Sequence, residues 1–106
     1  MQPQNSGYGA IAASGGTLLI ENATCAEDCA FEEYFTGTAP STCSVTIQGQ
    51  MHGGTKDTAA NTNSTVAASI IGITFTKPYG GFLVTATWTG GDTTTMFNIS
   101  WTMGLN

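Results

Sequence analysis

Three cysteines, one histidine and seven carboxylates are the side chains of this 106-residue chain with an evident claim to chemistry. Cys25, Cys29, Cys43 and His52 are together the donor types of a Cys3His zinc site, which needs four ligands converging tetrahedrally. The C-x3-C spacing of Cys25 and Cys29 suits such a site. Cys43 instead lies in a strongly alternating run, and His52 stands beside a Gly-Gly pair with no second metal-binding motif. A disulfide is the better expectation for the thiols, with Cys43 joined to Cys25 or to Cys29 and one thiol left over. Spacing leaves the pairing open. In a chain made in a bacterial cytosol, such a bridge forms only after release.

The acids Glu21, Glu27, Asp28, Glu32 and Glu33 crowd the first third. A calcium site needs several oxygens brought together by a loop such as D-x-D-x-D-G, which is absent. Paired carboxylates for glycoside hydrolysis need one raised pKa in an apolar pocket. Acids in a polar loop and strand do not offer that, so the cluster is expected to be solvated. The lone His52 has no G-x-S-x-G serine to activate, so it reads as a loop residue. No catalytic residue, metal site or cofactor is expected. Trp88 and Trp101 could stack on sugar rings, but both share the parity of neighbouring apolar residues and are expected in the core. The sequons at Asn22, Asn63 and Asn98 are weak signals in a chain this rich in Ser and Thr.

The elements that must position these residues are strands. Phe82, Val84, Ala86 and Trp88 alternate with Leu83, Thr85, Thr87 and Thr89; Phe97, Ile99, Trp101 and Met103 alternate with Met96, Asn98, Ser100 and Thr102. Period-two alternation gives each run one buried and one wettable face. Gly90-Gly91-Asp92 between them predicts a hairpin over Phe82–Met103. Further strands are expected at 17–22, at 31–36, at 43–49 with Cys43, Val45 and Ile47 inward, and within 66–76 with Ile71, Ile73 and Phe75 aligned. Residues 50–64 are polar, with a turn at Gly53-Gly54. Lys77-Pro78-Tyr79-Gly80-Gly81 punctuates the chain again. No apolar period of 3.6 is sustained. The fold class is therefore all-β: an antiparallel β-sandwich, jelly-roll-like, over residues 17–106. Residues 1–16, small and Gly-rich, are expected to be an extended N-terminal arm anchored on a neighbouring subunit by Tyr8 and Ile11. Tyr34 and Tyr79 are further candidates for subunit contacts.

Charge excludes whole classes of partner. Only 8% of residues are charged, against about a quarter in ordinary soluble domains. Two lysines and no arginine leave a net charge of −5. Neutralising phosphates needs Lys and Arg, so nucleic acid and anionic membrane surfaces are excluded. Thr, Ser, Asn and Gly solvate the surface instead. That suits a subunit whose outside is covered by neighbours, because unpaired buried charge is costly. MQPQNSGYGAIAASGG has no basic n-region and no long apolar h-region, so it is not read as a secretory signal. An outside-type surface without an export address fits either a signal already removed or exit by another route, and release by lysis within a virus particle would satisfy both observations.

Two stretches, FTGTAPSTCSVTIQGQMHGGT and KPYGGFLVTATWTGGDTTTMFNISWTMG, resemble the small β-sandwich proteins of tailed phages and prophages. Those run strand, G-S-x-D-G-x-x-W turn, polar stretch, K-P-x-R-Y-x-R-V and a Gly-rich hairpin. Val45–Gly49 is similar to the strand, and Lys77-Pro78-Tyr79 with Thr85–Trp101 to the end. Gln50–Thr55 lacks the Asp and Trp of the turn, which in related discoidin-like modules helps shape a sugar-binding end, so its loss weakens a lectin reading. The resemblance implies a head-decoration, minor capsid or tail-associated module. The expected function is thus a non-enzymatic virion structural protein that stabilises the particle, made in the host cytoplasm. Its partners would be itself, as a homo-oligomer and expected trimer, and the major capsid or tail protein. A carbohydrate-binding module of a tail fibre or cell surface and a self-assembling extracellular filament subunit are the alternatives.

Overall fold

A computed structural model describes residues 6–21, 28–51, 54–75 and 79–103. Eight strands follow one another: β1 (Ser6–Ile11), β2 (Gly16–Glu21), β3 (Asp28–Thr36), β4 (Thr42–Gln50), β5 (Lys56–Asn63), β6 (Ser69–Thr74), β7 (Gly81–Thr89) and β8 (Met96–Met103). They form two four-stranded sheets, sheet I in the order β1-β8-β3-β6 and sheet II in the order β2-β7-β4-β5. Every pairing is antiparallel. Only β4 and β5 are joined within one sheet; each other connection crosses from sheet to sheet. This wrapping is a jelly roll, the second of the two architectures expected from the strand pattern.

The crossing corrects the expectation of a hairpin at Phe82–Met103. β7 pairs with β2 and β4, whereas β8 pairs with β1 and β3. The two runs face each other across the core instead of lying side by side. Stacked sheets are about 10 Å apart, and a two-residue turn does not span that gap. Residues 90–95 do. Gly90 and Gly91 take φ of 80° and 74°, a left-handed pair that L side chains rarely adopt. Asp92 then closes the turn, its Oδ1 accepting from the Thr94 amide at 2.8 Å and its Oδ2 from the Thr38 hydroxyl at 2.8 Å. The Thr95 hydroxyl accepts from the Asp92 amide and donates to the Thr38 carbonyl, which ties this loop to residues 37–41.

Residues 6–16 are not an arm. Ser6–Ile11 is strand β1, in register with β8 from Ser6↔Thr102 to Ile11↔Phe97, and Gly16 opens β2. Residues 1–5 lie outside the described residues. The pairing follows from parity: Gly7, Gly9 and Ile11 turn inward, and Ile11 is buried in the core while Tyr8 is 89% exposed.

The inner faces pack as alternation requires. Phe31, Phe82, Phe97, Ile47, Ile99, Val45 and Val84 are fully buried. Aromatic rings bridge the sheets edge to face: Phe31 to Phe82 at 5.2 Å, Phe82 to Trp101 at 5.7 Å and Phe35 to Trp88 at 5.5 Å. Such contacts add about 0.5–1.5 kcal/mol each beyond area burial. Trp101 is buried, and Trp88 packs against the core from its rim. Both tryptophans therefore point inward, as their parity indicates.

Candidate functional site

The structure separates the residues expected to do chemistry. Cys25 and His52 lie outside the described residues. Cys29 is the second residue of β3, opposite Ile73 and Met103, whereas Cys43 is the second of β4, opposite Trp88, whose ring meets Phe35 edge to face. Six residues of β3 separate Cys29 from Phe35, so the two thiols sit about 20 Å apart at opposite ends of the sandwich. A Cys29–Cys43 bridge within one chain is therefore ruled out by geometry. Among the described residues no three metal-capable side chains gather.

One acid breaks the expected pattern. Glu33 shares the inner face of β3 with Phe31 and Phe35 and is 3% exposed. Its Oε1 accepts from the Asn63 amide at 2.7 Å, while Oε2 has no hydrogen-bond partner among the described residues. Burial pushes its pKa above the ordinary carboxylate range, and the Asn63 bond only partly offsets this. The Cys43 thiol is pushed up as well, by burial and then by the nearby Glu33 charge. A thiol kept protonated is a poor nucleophile. The signal was present in the sequence: Glu33 stands two residues from a phenylalanine on each side, at the spacing that shares a face.

The two outer faces are very different. On sheet II, register aligns Thr17, Thr85, Thr46 and Thr62 in one row across all four strands. The Thr42 and Thr89 hydroxyls bond each other, and Thr87 donates to the Ser44 carbonyl. The same face carries one aliphatic pair, Leu19 opposite Leu83, with Leu19 46% exposed and Leu83 buried. Sheet I instead presents Tyr8, Tyr34 at 37% exposure and Ile70 at 76%. Tyr8, Ser100, Glu32 and Ile70 form one row; Ser6, Thr102, Ala30 and Gly72 form the next. The small side chains of the second row leave a shallow depression lined by Ala30, Glu32, Ile70, Ser100 and Thr102. A Cβ added at Gly72 would meet nothing.

Of the four residues expected at subunit contacts, Tyr8 and Tyr34 are thus outward on sheet I. The other two are not. Ile11 is core, and Tyr79 is half-buried, with its ring edge-on to Phe75 and its hydroxyl bonded to Asp57. Ile70 was missed, although the inward Ile71 and Ile73 imply its outward parity.

No family model matches the chain, and no curated protein matches it. Solved structures share its fold at low identity. PirA aligns with a TM-score of 0.59 and 9% identity over 98% of this chain and 97% of its own. A subunit from Bacillus endospore appendages, described as disulfide-linked pili, aligns at 0.53 and 12% identity over 96% and 87%. The SPBc2 prophage-derived protein YomS aligns at 0.51 and 4% identity over 98% and 99%. What is shared is the fold. It is used by a prophage-derived protein and an appendage pilus alike, so function has to be argued from the surface.

Proposed function

We propose that this protein is a non-enzymatic structural subunit of a virion or of an extracellular appendage, acting through contacts among repeated copies. The observation that carries this is the outer face of sheet I, which displays Tyr8, Tyr34 and Ile70 beside an unfilled depression and carries two charged side chains, Asp28 and Glu32. Three of the five large apolar side chains exposed among the described residues lie on this one face, and such a gathering marks an interaction surface. The likeness of fold to a prophage-derived protein and to a pilus subunit supports the same reading.

Within it, capsid decoration or tail association is the first form. Bound copies would stabilise the particle by mass action, with further copies and the major capsid or tail protein as partners. A filament subunit is the second form, favoured by the bare, uncharged edge strands of sheet I. A sugar-binding role loses support, because Trp88 and Trp101 both pack inward. Mass spectrometry of purified virions and of sheared surface appendages from the producing cells tests the proposal. The protein should be abundant in one of the two fractions; its absence from both would end this reading.

A further inference from the structure

Sheet I ends in two strands of equal length, β1 and β6, each six residues long. Among the described residues no strand pairs with the outer side of either. Neither SGYGAI nor SIIGIT contains a charge or a proline, and neither strand breaks register with its neighbour. Natural edges normally carry at least one of these guards against pairing with another chain. The edges of sheet II do: β5 has two register shifts and carries Lys56 and Asp57, and β2 ends on Glu21.

The two bare edges fit each other. Sheet I has an even number of antiparallel strands, so β1 and β6 run in opposite directions. A second copy displaced along the sheet therefore brings its β1 antiparallel to β6 of the first. The alternation of hydrogen-bonded and non-bonded pairs carries across such a joint in phase. One register overlaps all six residues. It pairs Ser6 with Thr74, Gly7 with Ile73, Tyr8 with Gly72, Gly9 with Ile71, Ala10 with Ile70 and Ile11 with Ser69. Each isoleucine or tyrosine meets Gly, Ala or Ser. Tyr8 meets Gly72, where a side chain has open space. Its ring then lies over the depression between Ala30 and Ile70.

We infer that copies of this chain join head to tail, β1 of one extending sheet I of the next beyond β6, with Tyr8 seated over Gly72 of the neighbouring copy. This rests on the reading of the chain as a repeating structural subunit and names how the repeat is made. Aromatic side chains placed over edge glycines stabilise sheets in the same way. The joint uses different surfaces on the two copies, so it closes only as a ring and otherwise runs on as a filament.

Cross-linking of the full chain tests it. Residues directly opposite on paired strands have Cβ atoms about 4.5–5.5 Å apart, within disulfide reach after small adjustment. Inside one copy positions 8 and 72 are roughly 15 Å apart, three strand spacings, and cannot bond. Tyr8→Cys protein mixed with Gly72→Cys protein under mild oxidation should give mixed dimers well above either variant alone, with the unsubstituted chain setting the background. Tyr8→Lys should lower the assembled fraction about tenfold or more at equal concentration, with unchanged circular dichroism and melting temperature. Bonding of Gly72→Cys to Leu19→Cys in place of Tyr8→Cys would move the joint to β2 and overturn the inference. So would a folded wild-type chain that stays monomeric at about 1 mM, the limit of weak association. If either occurs while the protein is found in particles or appendages, the joint fails and the structural role stands. Absence from both fractions removes the role and leaves the cross-link result to decide the joint.

Discussion

Sheets I and II have the same strand count, the same antiparallel pairing and a shared core, yet their outer faces obey opposite rules. The outer face of sheet II carries rows of threonine, with Thr42, Thr87 and Thr89 held by hydrogen bonds, around one aliphatic pair, Leu19 opposite Leu83, and its β5 edge is irregular and charged. Leu19 apart, such a face and edge offer a partner little that water does not. Sheet I sets exposed apolar groups at its margins, Tyr8 on β1 and Ile70 on β6, with Ser100 and Glu32 between them in one row and the smaller Thr102 and Ala30 in the next. Low charge alone therefore does not mark an interface. The distribution of size does: Tyr8 stands out at one edge, and Gly72 leaves room at the other.

The largest expected effect breaks both sheets together. Phe82 of sheet II is fully buried and touches Phe31, Phe75 and Trp101. Phe82→Ala should cost about 3–5 kcal/mol, through lost transfer energy and the cavity left behind. Urea denaturation of wild type and variant measures this, and a change under 1.5 kcal/mol would mean the sheets do not share one core.

A smaller effect separates the sheets. Gly7 lets β1 lie close on the core, since a Cβ there would stand 2.6 Å from Trp101 Cζ2. Gly7→Ala should cost about 1–3 kcal/mol as overpacking lifts β1, and hydrogen exchange should rise along β1 before β2. Equal loosening of both strands would contradict the idea that this edge belongs to sheet I alone.

Two carboxylates sharpen the contrast through pH. Burial raises the Glu33 pKa, so the folded state holds its proton more tightly than the unfolded chain. Its contribution is most favourable below the ordinary Glu pKa and is lost as pH rises through the raised value. Asp92 is the reverse. Bonds from the Thr94 hydroxyl and amide and from Thr38 lower its pKa, so its contribution is present above the ordinary Asp value and fades as pH falls through the lowered one. Melting temperatures of Glu33→Gln should lose the wild-type decline on the alkaline side of the Glu range, and those of Asp92→Asn the decline at strong acid. Identical pH profiles for both variants and wild type would refute the two assignments.

The smallest effects on stability test the faces directly. Ile70→Lys on sheet I and Thr87→Lys on sheet II are both exposed changes, and each should alter stability by no more than about 0.5 kcal/mol. Only Ile70→Lys should lower the sedimentation coefficient of concentrated protein. Equal effects of the two would erase the distinction between the faces.

Much of this was legible in residue types and spacing. The alternation in β4, β7 and β8 correctly gave Val45, Ile47, Val84, Ala86, Phe97, Ile99 and Trp101 to the core, and the same reading applied to β3 would have placed Glu33 beside Phe31 and Phe35. Hydrophobic period two reports which face of a strand is buried, because side chains alternate whatever the strand pairs with. It says nothing of which strand lies alongside. A hairpin and a sheet-crossing loop need the same alternation on both arms, so Gly90-Gly91-Asp92 looked like the former and proved to be the latter. Likewise, the stretch holding Gly7 and Gly9 reads as an arm, and Gly72 carries no reading of its own. Only the packing of two sheets shows that two of these glycines admit Trp101 and Leu18, while the third opens onto empty space. The chain by itself determined that there would be strands with a buried and a wettable side, because burial is written residue by residue. The tertiary structure alone decided which edges were left without partners, because strand pairing is set by long-range contacts that local pattern does not encode.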